Sequence, residues 1–142
     1  MSRLIAARKR LMRVRDVQHL QAVGALMQAR DEAAQIEENA RRIAKVREEL
    51  FEIEGPVVGA LLASKQELAG RLERAGRQLD GALYDASRRI DQRDAERIAT
   101  DREREIAARL KEKAEAAREA QREARLAALP RARRVQNKDG TE

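Results

Sequence analysis

The chain of 142 residues contains no cysteine and no tryptophan, and only one histidine, one phenylalanine and one tyrosine. Without cysteine it can form neither a disulfide framework nor a thiolate nucleophile, which is typical of proteins in a reducing compartment. With so few aromatic residues it cannot build a thick globular core. The single histidine, His19, has no partner for a histidine-based catalytic pair. We therefore expect neither enzymatic activity nor a bound cofactor or metal.

Long apolar runs and helix-breaking residues are also scarce. The longest apolar stretch, VVGALLA, is far too short to span a bilayer, and the opening MSRLIAARKRLMRVR has no apolar signal region. Only two prolines and seven glycines are available to interrupt a helix. These features predict a soluble, cytoplasmic, helical protein.

Charged residues make up 39% of the chain, and the mixture of Ala, Glu, Arg and Leu is typical of long helices and coiled coils. Apolar residues recur at steps of three and four in two segments, which places each set on one stripe of a helix. The first stripe consists of Leu26, Ala29, Ala33, Ile36, Ala40, Ile43, Val46, Leu50 and Ile53. The second consists of Leu61, Leu68, Leu72, Ala75, Leu79, Leu83, Ala86 and Ile90.

The stretch EGPVVG separates these two stripes. Pro56 has no amide hydrogen, and Gly55 can adopt the left-handed conformation that ends a helix. The sequence predicts an all-α fold, an antiparallel two-helix coiled-coil hairpin with a longer second helix. A kinked helix in a parallel homodimer is the alternative. The predicted segments are a first helix over 1–53, a turn over 54–59, a second helix over 60–129, and a basic, disordered tail over 130–142.

The two stripes predict a register for the hairpin. The predicted facing pairs are Leu26 with Ala86, Ala29 with Leu83, Ala33 with Leu79, Ala40 with Leu72, and Leu50 with Leu62. In this register about twenty residues at the end of the second helix, RLKEKAEAAREAQREARLAAL, have no partner and overhang. They form either a solvated helix or a docking face for another protein.

The first helix carries more apolar surface than one partner helix can cover. Six of its residues step by threes and therefore wind around the helix: Leu11, Val14, Val17, Leu20, Val23 and Leu26. They are either simply exposed or covered by a second protein. The segment opposite Arg8 to Ala22, residues 91–105, is mostly polar. We therefore expect loose pairing of the helices at that end.

Basic residues cluster at the same end of the predicted hairpin. We call this cluster the basic pole, and it consists of Arg3, Arg8, Lys9, Arg10, Arg13 and Arg15, with no acidic residue among the first fifteen. A one-sided basic pole can attract nucleic acid, anionic lipid or an acidic protein, or can be merely solvated. Nucleic acid is the weaker candidate because the chain lacks aromatic stacking platforms, and no Gly-rich phosphate loop is present.

The sequence resembles the FliJ family of flagellar export proteins and the related stalk proteins of type III secretion. The resemblance rests on the total length, on the opening RLMRVRDVQHLQAVGALMQARDEAA, and on a hairpin break shortly after residue 50 followed by a longer second helix. It covers most of residues 10–124. The chain departs from the family in having only Phe51 where tyrosines are common, and PRARRVQNKDGTE in place of an acidic end.

The resemblance implies a non-enzymatic stalk that binds the hexameric export ATPase and the membrane export gate, and that associates with the inner membrane peripherally, through these partners. The hairpin pattern itself predicts a monomer in isolation. Chaperone activity towards export substrates is left open. The predicted ATPase contacts are Arg8, Arg10, Arg13 and Arg15, together with the overhang. The predicted gate contacts are Val46, Leu50, Phe51, Leu68 and Leu72. The alternative function is a structural or regulatory hairpin that binds another protein or an acidic surface.

Overall fold

Two long helices make up nearly all of the structure, a computed structural model that describes residues 2–52 and 59–130. Helix α1 spans Ser2–Leu50 and helix α2 spans Gly59–Ala128. The helices run antiparallel, because Lys9 near the start of α1 lies beside Glu115, and Arg47 near its end lies beside Glu73. The predicted all-α antiparallel hairpin with a longer second helix is therefore confirmed.

Local side-chain pairs support both helices on their solvent-exposed faces. Arg41 donates a hydrogen bond to Glu37 at 2.9 Å, and Arg71 donates one to Glu67 at 2.8 Å, each across one helical turn. The hydrogen bond that Arg41 donates to Glu37 raises the pKa of the Arg41 guanidinium above its ordinary value. Such pairs contribute only about 0.2–0.5 kcal/mol each to the stability of a single helix. The packing of the two helices against each other must therefore be stabilised by contacts between them.

The helices end in tightened turns. After Leu50, the amides of Phe51 and Glu52 bond back to carbonyls three residues earlier, at 3.3 Å in both cases, as in a 3₁₀ turn. Helix α2 ends at Ala128 because Pro130 disfavours helical geometry at Leu129. The predicted last helical residue Ile53, most of the predicted turn, and the tail from residue 131 lie outside the described residues. Gly59, predicted as the last turn residue, instead begins α2.

The core is a thin seam between the helices. Its buried residues are Ile5, Leu26, Ala29 and Ala33 of α1, and Ala86, Ala107 and Ala114 of α2. Five of the seven are alanines, and alanine removes little apolar surface from water. Among the described residues, Ile5 and Leu26 are thus the only buried residues with side chains larger than that of alanine.

The predicted register is wrong by about one heptad. Arg15 Nη1 lies 2.8 Å from Glu103 Oε2, and Arg47 Nη2 lies 3.7 Å from Glu73 Oε2. In the predicted register Glu103 would have lain about two turns away from Arg15. The apolar pattern repeats with every heptad, so it fits two registers that differ by seven residues equally well.

Charge favours the observed register at two positions. The predicted register would have placed Arg15 opposite Arg97, and Arg47 opposite Lys65, so that like charges faced each other across the seam. The observed register places both arginines beside glutamates instead. Facing like charges are destabilising, whereas exposed opposite charges contribute up to about 1 kcal/mol per pair.

The shifted register also corrects the predicted overhang. Ile5 and Lys9 line a groove together with Glu115 and Arg118, so α1 accompanies α2 well into the segment that was predicted to be unpaired. Only about the last two turns of α2 extend past the start of α1. At the other end, roughly the first three turns of α2 extend past Leu50, which leaves Leu61 and Leu62 exposed.

Within residues 2–52 and 59–130, neither helix contains a stretch long and apolar enough to cross a membrane.

Candidate partner-binding ends of the hairpin

The predicted ATPase contacts lie together at the end of the hairpin formed by the start of α1, but they are not equally accessible. Arg10 and Arg13 are exposed, whereas Arg8 and Arg15 are half-buried. Arg13 lines a groove with Met12, Asp16 and residues of the facing helix. The exposed part of the basic pole is therefore narrower than the sequence indicates.

Arg15 is a link within the hairpin. Its Nη1 donates hydrogen bonds to Glu103 Oε2 of α2 at 2.8 Å and to Gln18 Oε1 of α1 at 2.9 Å. A partner that engaged Arg15 would have to break these charge-assisted contacts first. Among the four arginines predicted to bind a partner, Arg15 is thus the one that already bonds to the facing helix.

A polar layer continues the seam next to Arg15. His19 Nδ1 lies 3.2 Å from Thr100 Oγ1, and His19 Nε2 lies 3.9 Å from Asp101 Oδ1. Thr100 Oγ1 in turn donates a hydrogen bond to the carbonyl of Arg97 at 2.9 Å. The His19 side chain is only 13% exposed. Polar contacts thus replace apolar ones in this part of the seam, and buried Ile5 and Ala107 lie beyond them. The loose pairing expected for this end stays a prediction.

Sequence reasoning did not find this polar layer because it followed only apolar residues. The spacing was nevertheless visible, since Arg8, Met12, Arg15, His19 and Ala22 continue the seam at steps of four and three. A coiled-coil seam accepts such polar layers, which specify register at some cost in stability.

The predicted gate contacts lie at the opposite end of the hairpin. Phe51 is 55% exposed, and Val46 and Leu68 are also exposed. Leu50 and Leu72 are half-buried, and Leu72 lines a groove together with Arg47 of the facing helix. We call these five residues the tip cluster. The exposed leucines Leu61 and Leu62 extend the apolar surface beyond it.

The apolar residues that wind around α1 divide into two groups. Leu26 is buried, and Leu11 and Val23 are half-buried at the edges of the seam. Val14, Val17 and Leu20 are exposed, and so is Met27, which the sequence reading did not include.

The described residues offer no group of three or more His, Cys, Asp or Glu side chains that could hold a metal ion. Their grooves are shallow clefts along the helix pair. Comparison of the chain with protein-family models, with curated proteins and with solved structures finds no match to any of them.

Proposed function

We propose that this protein is a non-enzymatic stalk of a type III protein export apparatus, flagellar or related, which binds the export ATPase with its basic pole and the export gate with its tip cluster. The family resemblance of the sequence suggests these partners. The observation that supports a stalk is the presence of two chemically different ends, one basic and one apolar, joined by two continuous helices.

The basic pole suits an acidic protein surface. Arg10 and Arg13 are exposed, and no described acidic side chain lies within 4.0 Å of the charged nitrogens of Arg8, Arg10 or Arg13. Their charge is therefore available for a partner, and long-range attraction would speed the encounter. Because exposed charges are screened within about 8 Å at physiological ionic strength, such binding should weaken as salt is added.

The tip cluster suits a different kind of contact. Exposed Phe51, Val46 and Leu68 offer apolar area at the end of a stiff rod, and exposed apolar patches of this kind mark protein interaction sites. A rod of this kind holds its two contacts at a fixed separation. It can thereby connect an ATPase ring to a gate without moving parts of its own.

The proposal is tested with purified export ATPase and a variant in which Arg3 and Arg10, two exposed residues of the basic pole, are both replaced by glutamate. Arg8 and Arg15 are kept because they occupy seam positions, and Arg13 is kept because it lies in a groove with Asp16. We expect at least about a tenfold loss of ATPase affinity, since charge reversal turns attraction into repulsion.

The matched control replaces Arg74 and Arg88 by glutamate, because both are exposed on α2 away from the basic pole and the change in net charge is the same. We expect this variant to bind the ATPase normally. A Leu50→Ala, Phe51→Ala variant should also bind the ATPase normally but lose binding to the gate protein. Failure of the unaltered protein to bind either partner would overturn the stalk and leave a hairpin for some other protein or acidic surface.

A further inference from the structure

A second apolar stripe runs along α1 outside the seam. We call Val17, Leu20, Gly24 and Met27 the outer stripe, and these residues follow one another at steps of three, four and three, as in a coiled-coil seam. The side chains of Val17, Leu20 and Met27 are 54%, 68% and 59% exposed. No atom lies within 4 Å of a side chain that would be built on Gly24. The hairpin leaves this stripe uncovered.

The outer stripe faces away from α2. At 100° per residue, the mean direction of the outer stripe is about 150° from that of the seam residues His19, Ala22 and Leu26. A helix docked on the outer stripe would therefore lie on the far side of α1 from α2. Such docking needs no opening of the hairpin.

The outer stripes of two antiparallel copies of α1 are complementary in shape. If a second copy of α1 is laid antiparallel about a two-fold axis next to residue 22, Val17 faces Met27 of the second copy, and Leu20 faces its Gly24. A large side chain then meets the one position that has none, as knobs-into-holes packing requires. Each contact occurs twice because the pairing is symmetric.

The charges beside the outer stripe have the same symmetry. In this pairing Arg13 faces Asp31 of the second copy. Arg30 of the second copy lies two residues, about 3 Å along the helix, from the position opposite Asp16, so opposite charges are neighbours in both pairs. None of these four residues forms an ion pair within 4.0 Å among the described residues, although many neighbouring charges do. Arg13, Arg30 and Asp31 are exposed, and Asp16 is half-buried.

We propose that the outer stripe binds a second copy of this chain, antiparallel and two-fold symmetric, to form a flat four-helix layer with the two α1 helices at its centre. The stripe is only about 16 Å long, so the interface is small and self-association is weak and concentration-dependent. This inference departs from the monomer expected from the sequence. It is independent of the export partners.

Single cysteines test the geometry, because the chain has no cysteine of its own. Gln21 is exposed and lies next to the two-fold axis, so Gln21→Cys places two thiols close together across the proposed interface. The matched control Gln28→Cys lies on the same side of the stripe one heptad later, where the two thiols of an antiparallel pair are about 20 Å apart. A short bismaleimide should cross-link the Gln21→Cys chain into dimers and leave the Gln28→Cys chain monomeric.

Equal cross-linking of both variants would indicate parallel pairing or random collision, and either would overturn the proposal. Absence of cross-linking in both variants at high micromolar concentration would overturn it as well.

Charge reversal supplies a second, non-covalent test by sedimentation from micromolar to millimolar concentration. Asp31→Arg places like charges at two positions of the symmetric pair and should weaken dimerisation by at least about tenfold. Adding Arg13→Asp to the same chain restores opposite charges and should restore dimerisation. The matched control Asp85→Arg changes an exposed acid on α2 and should have no effect. If the double variant stays as weak as Asp31→Arg, the proposed antiparallel register is wrong.

Discussion

At the scale of single residues, the seam consists of very unequal contributions. Leu26 is 3% exposed and is, among residues 2–52 and 59–130, the only large side chain buried in the middle of the hairpin, where its buried neighbours in the seam are Ala29, Ala33 and Ala86. Because alanine buries little apolar surface, the free energy of pairing must be concentrated at a few larger positions. The polar contacts of Arg15 and His19 specify the alignment more than they stabilise it.

A prediction follows for Leu26→Ala. Removing a buried leucine typically costs about 2–5 kcal/mol, and we expect about 2 kcal/mol here because a two-helix seam collapses around the space more easily than a thick core does. Leu126→Ala is the matched control, because Leu126 is 59% exposed near the end of α2, and its free energy of unfolding should change by less than about 0.5 kcal/mol. Urea unfolding followed by circular dichroism measures both. Equal losses in the two variants would contradict the burial of Leu26.

At the scale of elements, the alignment of α1 with α2 is the feature that the apolar pattern left ambiguous. Pairs of introduced cysteines can distinguish the observed register from the register predicted from the sequence. Ala33 and Ala86 are both buried in the seam, so Ala33→Cys with Ala86→Cys should form a disulfide within one chain. Ala33→Cys with Leu79→Cys matches the register predicted from the sequence. Its thiols should be displaced by about 10 Å along the helices and should not pair. Mass spectrometry of the oxidised proteins distinguishes the outcomes, and efficient pairing of residues 33 and 79 would refute the observed register.

The sequence predicts the two helices and their antiparallel packing, because the spacing of apolar residues indicates the helices and one helix-breaking segment separates them. Leu26, Ala33 and Ala86 were predicted in the seam and are buried there. The register could not be predicted from the same spacing, because a heptad pattern displaced by seven residues fits itself. The ion pair between Arg15 and Glu103, which makes Arg15 less available to a partner, could not be predicted either, since it depends on that register.

At the scale of the whole molecule, the hairpin is a rod whose length is set by its longer helix. The 70 residues of α2 rise about 105 Å at 1.5 Å per residue, and α1 lies beside them along most of that length. The basic pole and the tip cluster are therefore held at opposite ends of the rod. The outer stripe lies on its side, nearer to the basic pole, so one molecule can present all three surfaces at once.

The last prediction concerns this shape. Small-angle scattering from a dilute solution should give a maximum dimension of about 105 Å with the mass of one chain. The alternative weighed from the sequence, a kinked helix in a parallel homodimer, would extend the helical path to roughly 190 Å at twice the mass.

A dimer formed through the outer stripe would have a shape different from both the monomer and the parallel homodimer. Because its two-fold axis passes near residue 22, the two rods overlap over most of their length, and the maximum dimension should grow by only about 10 Å while the mass doubles. Length that rises in proportion to mass as the protein is concentrated would contradict the side-by-side layer and indicate end-to-end association instead.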